Sequence, residues 1–114
     1  MIVDDEPQIL RLLTAVLTRA GHEIHTSDST RDAFQLCISP AAFDLVLSNV
    51  DMPGVTGHDL ARWLAARHPA IRVMLMSAFD SDCNECPYLE RCVLIRKPFA
   101  PGEVVKQVTA ALAN

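Results

Sequence analysis

The stretch Asp44-Leu45-Val46-Leu47-Ser48-Asn49-Val50-Asp51-Met52-Pro53-Gly54-Val55-Thr56-Gly57 decides the fold. Leu45-Val46-Leu47 is an unbroken apolar run, the pattern of a strand buried on both faces. Turn-forming residues follow from Asn49 to Gly57, with Met52-Pro53-Gly54 a turn by composition. Leu60, Trp63 and Leu64 then recur at helical spacing, and Pro69 ends the exit loop. A buried strand, a turn-rich loop and an amphipathic helix form the unit from which parallel sheets with helices on both faces are built.

The same unit recurs on either side. Ile2-Val3 is the end of a short strand closed by Asp4-Asp5, and Pro7 suits the first turn of a helix. Ile9, Leu12, Leu13, Val16, Leu17 and Ala20 keep a 3.6-residue period until Gly21 stops it. Residues 23–26 read as a second strand. Asp28 or Ser29 caps a second helix that turns Ala33, Leu36 and Cys37 inward, and Ser39-Pro40 breaks it. Val73 to Met76 and Val93 to Ile95 are further buried strands. Pro101 opens a last helix with Val104, Val105, Val108 and Leu112 on one face. This pattern predicts an α/β fold with a five-stranded, doubly wound parallel sheet and four clear helices. A fifth helix is expected between Phe79 and Cys92, where Pro87 and clustered cysteines make the pattern irregular.

Composition bounds the function. The chain has 114 residues, half of them apolar, with 21% charged and a net charge of −4. That suits one domain, residues 1–114, with one core, and excludes a disordered chain. The acidic balance, with a pI near 5.4, argues against direct nucleic-acid binding, which needs a basic face. No apolar run approaches the roughly 18 residues of a membrane span. The acidic start, Asp4-Asp5-Glu6, does not read as a signal peptide. The cytoplasm is the expected compartment. Cys37, Cys83, Cys86 and Cys92 are therefore not expected to form structural disulfides.

Ligands in open parallel sheets bind beyond the carboxyl ends of the strands. The first strand ends here in Asp4-Asp5, the third in Asn49 with Asp51 close behind, the fourth in Ser77 and the fifth in Lys97-Pro98. Each piece alone has an ordinary reading: a helix cap, a strand-end hydroxyl, a loop lysine. Together they bring carboxylates, a carboxamide, a hydroxyl and an ammonium to one edge. Hard oxygen ligands suit Mg²⁺, and a cation beside a lysine and a hydroxyl can stabilise a transferring phosphoryl group.

Val3-Asp4-Asp5-Glu6-Pro7, the stretch from Asp44 to Gly57, Met76-Ser77-Ala78 and Lys97-Pro98-Phe99 together resemble the receiver domain of two-component response regulators. The resemblance covers essentially the whole chain. It implies a flavodoxin-like (βα)₅ sheet of order 2-1-3-4-5 and a Mg²⁺-dependent aspartyl-phosphorylation switch. A sensor histidine kinase or phosphotransfer protein would load it, and a downstream output protein or domain would read it. Asp4 and Asp5 would be the metal pair, joined by the backbone carbonyl of Asp51. Ser77 would be the switch hydroxyl, Lys97 the partner of the phosphoryl oxygens, and Pro98 would hold its loop, usually through a cis bond.

The chain departs from that pattern at four places. Asn49 stands where the phosphoacceptor aspartate should be. A carboxamide is neutral, its nitrogen lone pair is held in resonance, and it cannot form the acyl phosphate. Its oxygen could still touch a metal, as a weaker ligand, so Mg²⁺ binding should be weakened. Asn49 reads either as a natural pseudo-receiver that signals without phosphate or as an engineered block. Asp51 is a poor substitute acceptor, because its side chain is expected to point away from the strand exit. It could instead lean toward the metal. Leu94 takes a position often held by a switching aromatic. Cys83, Cys86 and Cys92 replace a regular fourth helix, and Cys-x₂-Cys spacing suits a thiolate clamp. Zn²⁺ or iron there is less expected than simple packing, because a fourth ligand is missing, and a reversible disulfide on oxidation is the other reading. Finally, the first strand starts abruptly, so either the true start lies upstream or the strand is short, and no output segment is expected after the last helix, as in a stand-alone or excised receiver. The rival functions are a phosphorylation-independent interaction module and a thiol-based redox or metal sensor; an enzyme with its own substrate is not expected.

Overall fold

Alternating apolar residues on each strand face build a sheet that needs helices on both sides. In the computed structural model, which describes residues 1–38, 43–52, 54–77 and 93–113, that is the arrangement. The elements are β1 (Ile2–Val3), α1 (Pro7–Arg19), β2 (Thr26–Ser27), α2 (Thr30–Ile38), β3 (Leu45–Asn49), α3 (Gly57–Arg67), β4 (Arg72–Ser77), β5 (Val93–Arg96) and α4 (Pro101–Ala113). The strands form one sheet in the order β2-β1-β3-β4-β5, and every pairing is parallel. The predicted class and strand order hold. The expected helix between Phe79 and Cys92, with its three cysteines, lies outside the described residues.

Strand alternation divides the core. Ile2, Leu45, Leu47, Met74, Met76 and Ile95 pack with Leu13 and Leu17 of α1 and Val104 and Val108 of α4. Met1, Val3 and Val46 face the other way, onto Ala33 and Cys37 of α2 and Leu60 and Leu64 of α3. Val50, Leu75 and Ala61 form a third cluster, with Leu94 packed against it.

Helix ends follow the sequence closely. Pro7 occupies the first turn of α1, where its missing N–H costs nothing. Gly21 sits at φ +99° just past the end, a left-handed position open to glycine. At α2 the cap is Ser29 rather than Asp28, since its hydroxyl accepts the Asp32 N–H at 3.1 Å. The second strand is shorter and later than 23–26: only Thr26 and Ser27 pair, with Ile2 and Val3. Two residues of β1 offer two partners. Ahead of them, only the His25 carbonyl is engaged, accepting the Ile2 N–H at 2.8 Å.

Candidate functional site at the carboxyl edge of the sheet

Asp4, Asn49, Ser77 and Lys97 lie where β1, β3, β4 and β5 end, and the contacts fall into two groups, Asp4 with Glu6 and Lys97 and Asp51 with Asn49 and Ser77. Asp4 follows β1 directly and is fully buried. One carboxylate oxygen accepts the Glu6 N–H at 2.9 Å, and the other accepts from the Lys97 ammonium at 2.9 Å. Glu6 takes a second bond from Lys97 at 3.2 Å. The Lys97 side chain is only 10% exposed, against 0% for Asp4, so the pair is held largely out of water. Burial pushes the Asp4 carboxyl above its ordinary range, and the Lys97 and Glu6 hydrogen bonds oppose that without cancelling it. Burial also works against the Lys97 charge. The hydrogen bonds and charges of Asp4 and Glu6 outweigh it and hold the ammonium above the usual lysine value. The Lys97-Pro98 bond is cis, as the resemblance implies.

Asn49 ends β3 and is 4% exposed. Its amide donates to the Asp51 backbone carbonyl at 3.3 Å and lies 3.8 Å from the Met52 sulfur. Ser77, fully buried at the end of β4, donates its hydroxyl proton to the Asp51 carboxylate at 3.1 Å. The Asp51 side chain, expected from the sequence to point away from the strand exit, instead reaches the end of β4. The Met52 N–H bonds the Val50 carbonyl at 3.0 Å and folds the chain back just beyond β3. With the Asn49 amide holding its carbonyl, Asp51 turns its carboxylate toward β4. Asp5 is exposed. Leu94 packs inward on Val50, Ala61 and Leu75.

Two roles were not visible in the sequence. Glu6 is a second carboxylate partner of Lys97; its place directly after the acidic pair was the available signal. Gly57 opens α3 against β3, where an added Cβ would strike the Asn49 carbonyl oxygen and lie 2.8 Å from the Val50 Cα. Only the strand-to-helix approach reveals that constraint. The thiol candidates Cys83, Cys86 and Cys92 lie outside the described residues. Among the described residues, no group of three or more His, Cys, Asp and Glu side chains is arranged to hold a metal. Asp4 and Asp5 could hold a hydrated Mg²⁺ as a two-carboxylate site, since this ion keeps most of its waters. The Asp51 carbonyl already accepts from the Asn49 amide.

Residues 1–109 match the response regulator receiver domain family, and the chain belongs to that family, the receivers of two-component systems. It is 35% identical over 81 residues to the response regulator protein FleR of Pseudomonas aeruginosa, covering 71% of this chain and 17% of that protein. It is 32% identical to the transcriptional regulatory protein ResD of Bacillus subtilis, covering 98% of this chain and 47% of that protein. The chain thus spans less than half the length of these curated relatives. Among solved structures, a protein from Neptuniibacter caesariensis matches at a TM-score of 0.89 and 28% identity, covering 99% of this chain and 85% of that one. A CheY-like receiver domain protein from Methanospirillum hungatei matches in fold at a TM-score of 0.87 and 22% identity, covering 98% of this chain and 90% of that one. No helix among the described residues is long and apolar enough to cross a membrane.

Proposed function

We propose that this receiver keeps the phosphoryl-switch pocket of its family but is blocked at the acceptor, so that it signals by binding rather than by taking phosphate. The observation that carries the reading is the position of Asn49. It stands buried at the end of β3, on the same sheet edge as Asp4, Ser77 and Lys97.

With a carboxylate at that position, one of its oxygens attacks the phosphorus of a phosphohistidine. The P–N bond breaks, the imidazole nitrogen leaves with the electron pair and is protonated, and an acyl phosphate remains. Lys97, oriented by Asp4 and Glu6, neutralises the transferred oxygens, and the Ser77 hydroxyl donates to one of them. Mg²⁺, when held by Asp4 and Asp5, supplies further charge neutralisation. Asn49 removes the nucleophile and one negative charge while leaving those other groups in place. The partners that fit are a sensor histidine kinase or phosphotransfer protein and an output protein or domain, in the cytoplasm. A transcriptional output suits relatives that are named as transcriptional regulators.

Intact mass after exposure to acetyl phosphate and Mg²⁺ tests this. The chain itself should gain nothing, and Asn49→Asp should gain one phosphate. Uptake by the unaltered chain, or by neither protein, would contradict the proposal.

A further inference from the structure

The pocket's donors are already engaged by this chain's own carbonyl and carboxylate oxygens. Lys97 donates to Asp4 and Glu6. The Asn49 amide donates to the Asp51 carbonyl. Ser77 donates to the Asp51 carboxylate. An anionic carboxylate oxygen facing a buried hydroxyl offers it the same partner that a phosphoryl oxygen would: charged, acceptor-only, at hydrogen-bond distance.

The turn that carries Asp51 is tied down on several sides. The Val50 carbonyl accepts the N–H groups of Met52 and Gly57, each at 3.0 Å. The Val55 carbonyl accepts the Thr30 hydroxyl at 2.9 Å. Asp51 itself is exposed, so nothing in the core requires a carboxylate there. Its one side-chain bond among the described residues runs to Ser77.

We infer that Asp51 is a positioning residue. Its carboxylate is the resident ligand of Ser77, holds that hydroxyl in place without phosphate, and must be displaced before any phosphoryl oxygen can reach it. The displacement part rests on the phosphoryl-switch reading above; the resident contact does not.

Two measurements test it. The first is a double-mutant cycle of Asp51→Ala and Ser77→Ala in the otherwise unaltered chain, read by chemical denaturation. A direct charge-assisted bond should couple the two sites by about threefold or more in the folding equilibrium constant. Additive effects would overturn the inference. The second is phosphate uptake from acetyl phosphate with Mg²⁺ in an Asn49→Asp background. Adding Asp51→Ala should speed uptake about threefold or more, and the gain should vanish when Ser77→Ala is also present, because Asp51 acts through that hydroxyl. A gain that survives Ser77→Ala, or slower uptake, would overturn the positioning role. If no Asn49→Asp variant takes phosphate, the phosphoryl-switch reading fails, and the stability cycle still decides whether Asp51 holds Ser77.

Discussion

Gly57 shows how tightly single residues are constrained beside the site. A methyl group there would meet backbone atoms of Asn49 and Val50, and backbone cannot rotate aside. Gly57→Ala should therefore lower stability by about 2 kcal/mol or more. Gly102 lies in α4 with nothing within 4 Å of an added Cβ, so Gly102→Ala should stabilise by up to about 1 kcal/mol. Denaturation midpoints of the two variants should move in opposite directions. Cys37 makes a second test. It is 3% exposed, and burial pushes its thiol above the ordinary range, despite the nearby N-terminal charge. A thiol reagent at pH 8 should leave Cys37 unmodified in the folded protein and label it readily in denaturant. Peptide mapping separates it from the other cysteines, and rapid labelling of native Cys37 would contradict its placement. Asp4, Asn49, Ser77 and Lys97 could be located from sequence because each follows a recognisable apolar run, and strand ends share an edge. The Asp51 to Ser77 bond could not, because it depends on how a turn folds back, and composition does not set that direction.

At the scale of elements, α3 carries a capping box. The Thr56 hydroxyl accepts the Asp59 N–H at 3.3 Å, and Asp59 accepts the Thr56 N–H at 3.1 Å. Thr56→Ala should cost about 1 kcal/mol. Hydrogen bonds from the Thr56 backbone, then its side chain, hold the Asp59 carboxyl below its usual 3.8. A depressed carboxyl stabilises above its unfolded pKa, and that contribution fades as pH falls through the folded value. The stability gap between the unaltered chain and Asp59→Asn should thus be present at neutral pH and close in acid. A gap that widened in acid would contradict the assignment. Helices were readable because their caps and breakers are local: Pro7, Ser29 and Gly21 each act within a turn. The second strand departs from residues 23–26 because its extent is set by β1, whose Ile2 and Val3 pair with Thr26 and Ser27. No residue between 23 and 27 announces that limit.

Across the whole molecule, parity decides the architecture. Alternate residues of β1, β3, β4 and β5 send side chains to opposite faces, one covered by α1 and α4, the other by α2 and α3. That is why near-continuous apolar runs implied a doubly wound sheet, and why the site had to lie at the strands' carboxyl edge. We propose that this edge remains competent and that Asn49 alone blocks it. The most direct test is an amide ¹H–¹⁵N spectrum recorded with and without beryllofluoride and Mg²⁺, for the chain itself and for Asn49→Asp. The unaltered chain should show no beryllofluoride-dependent shifts at Ser77, Leu94 or Lys97, whereas Asn49→Asp should shift at all three. Shifts in the unaltered chain, or none in Asn49→Asp, would mean that Asn49 is not what blocks the site.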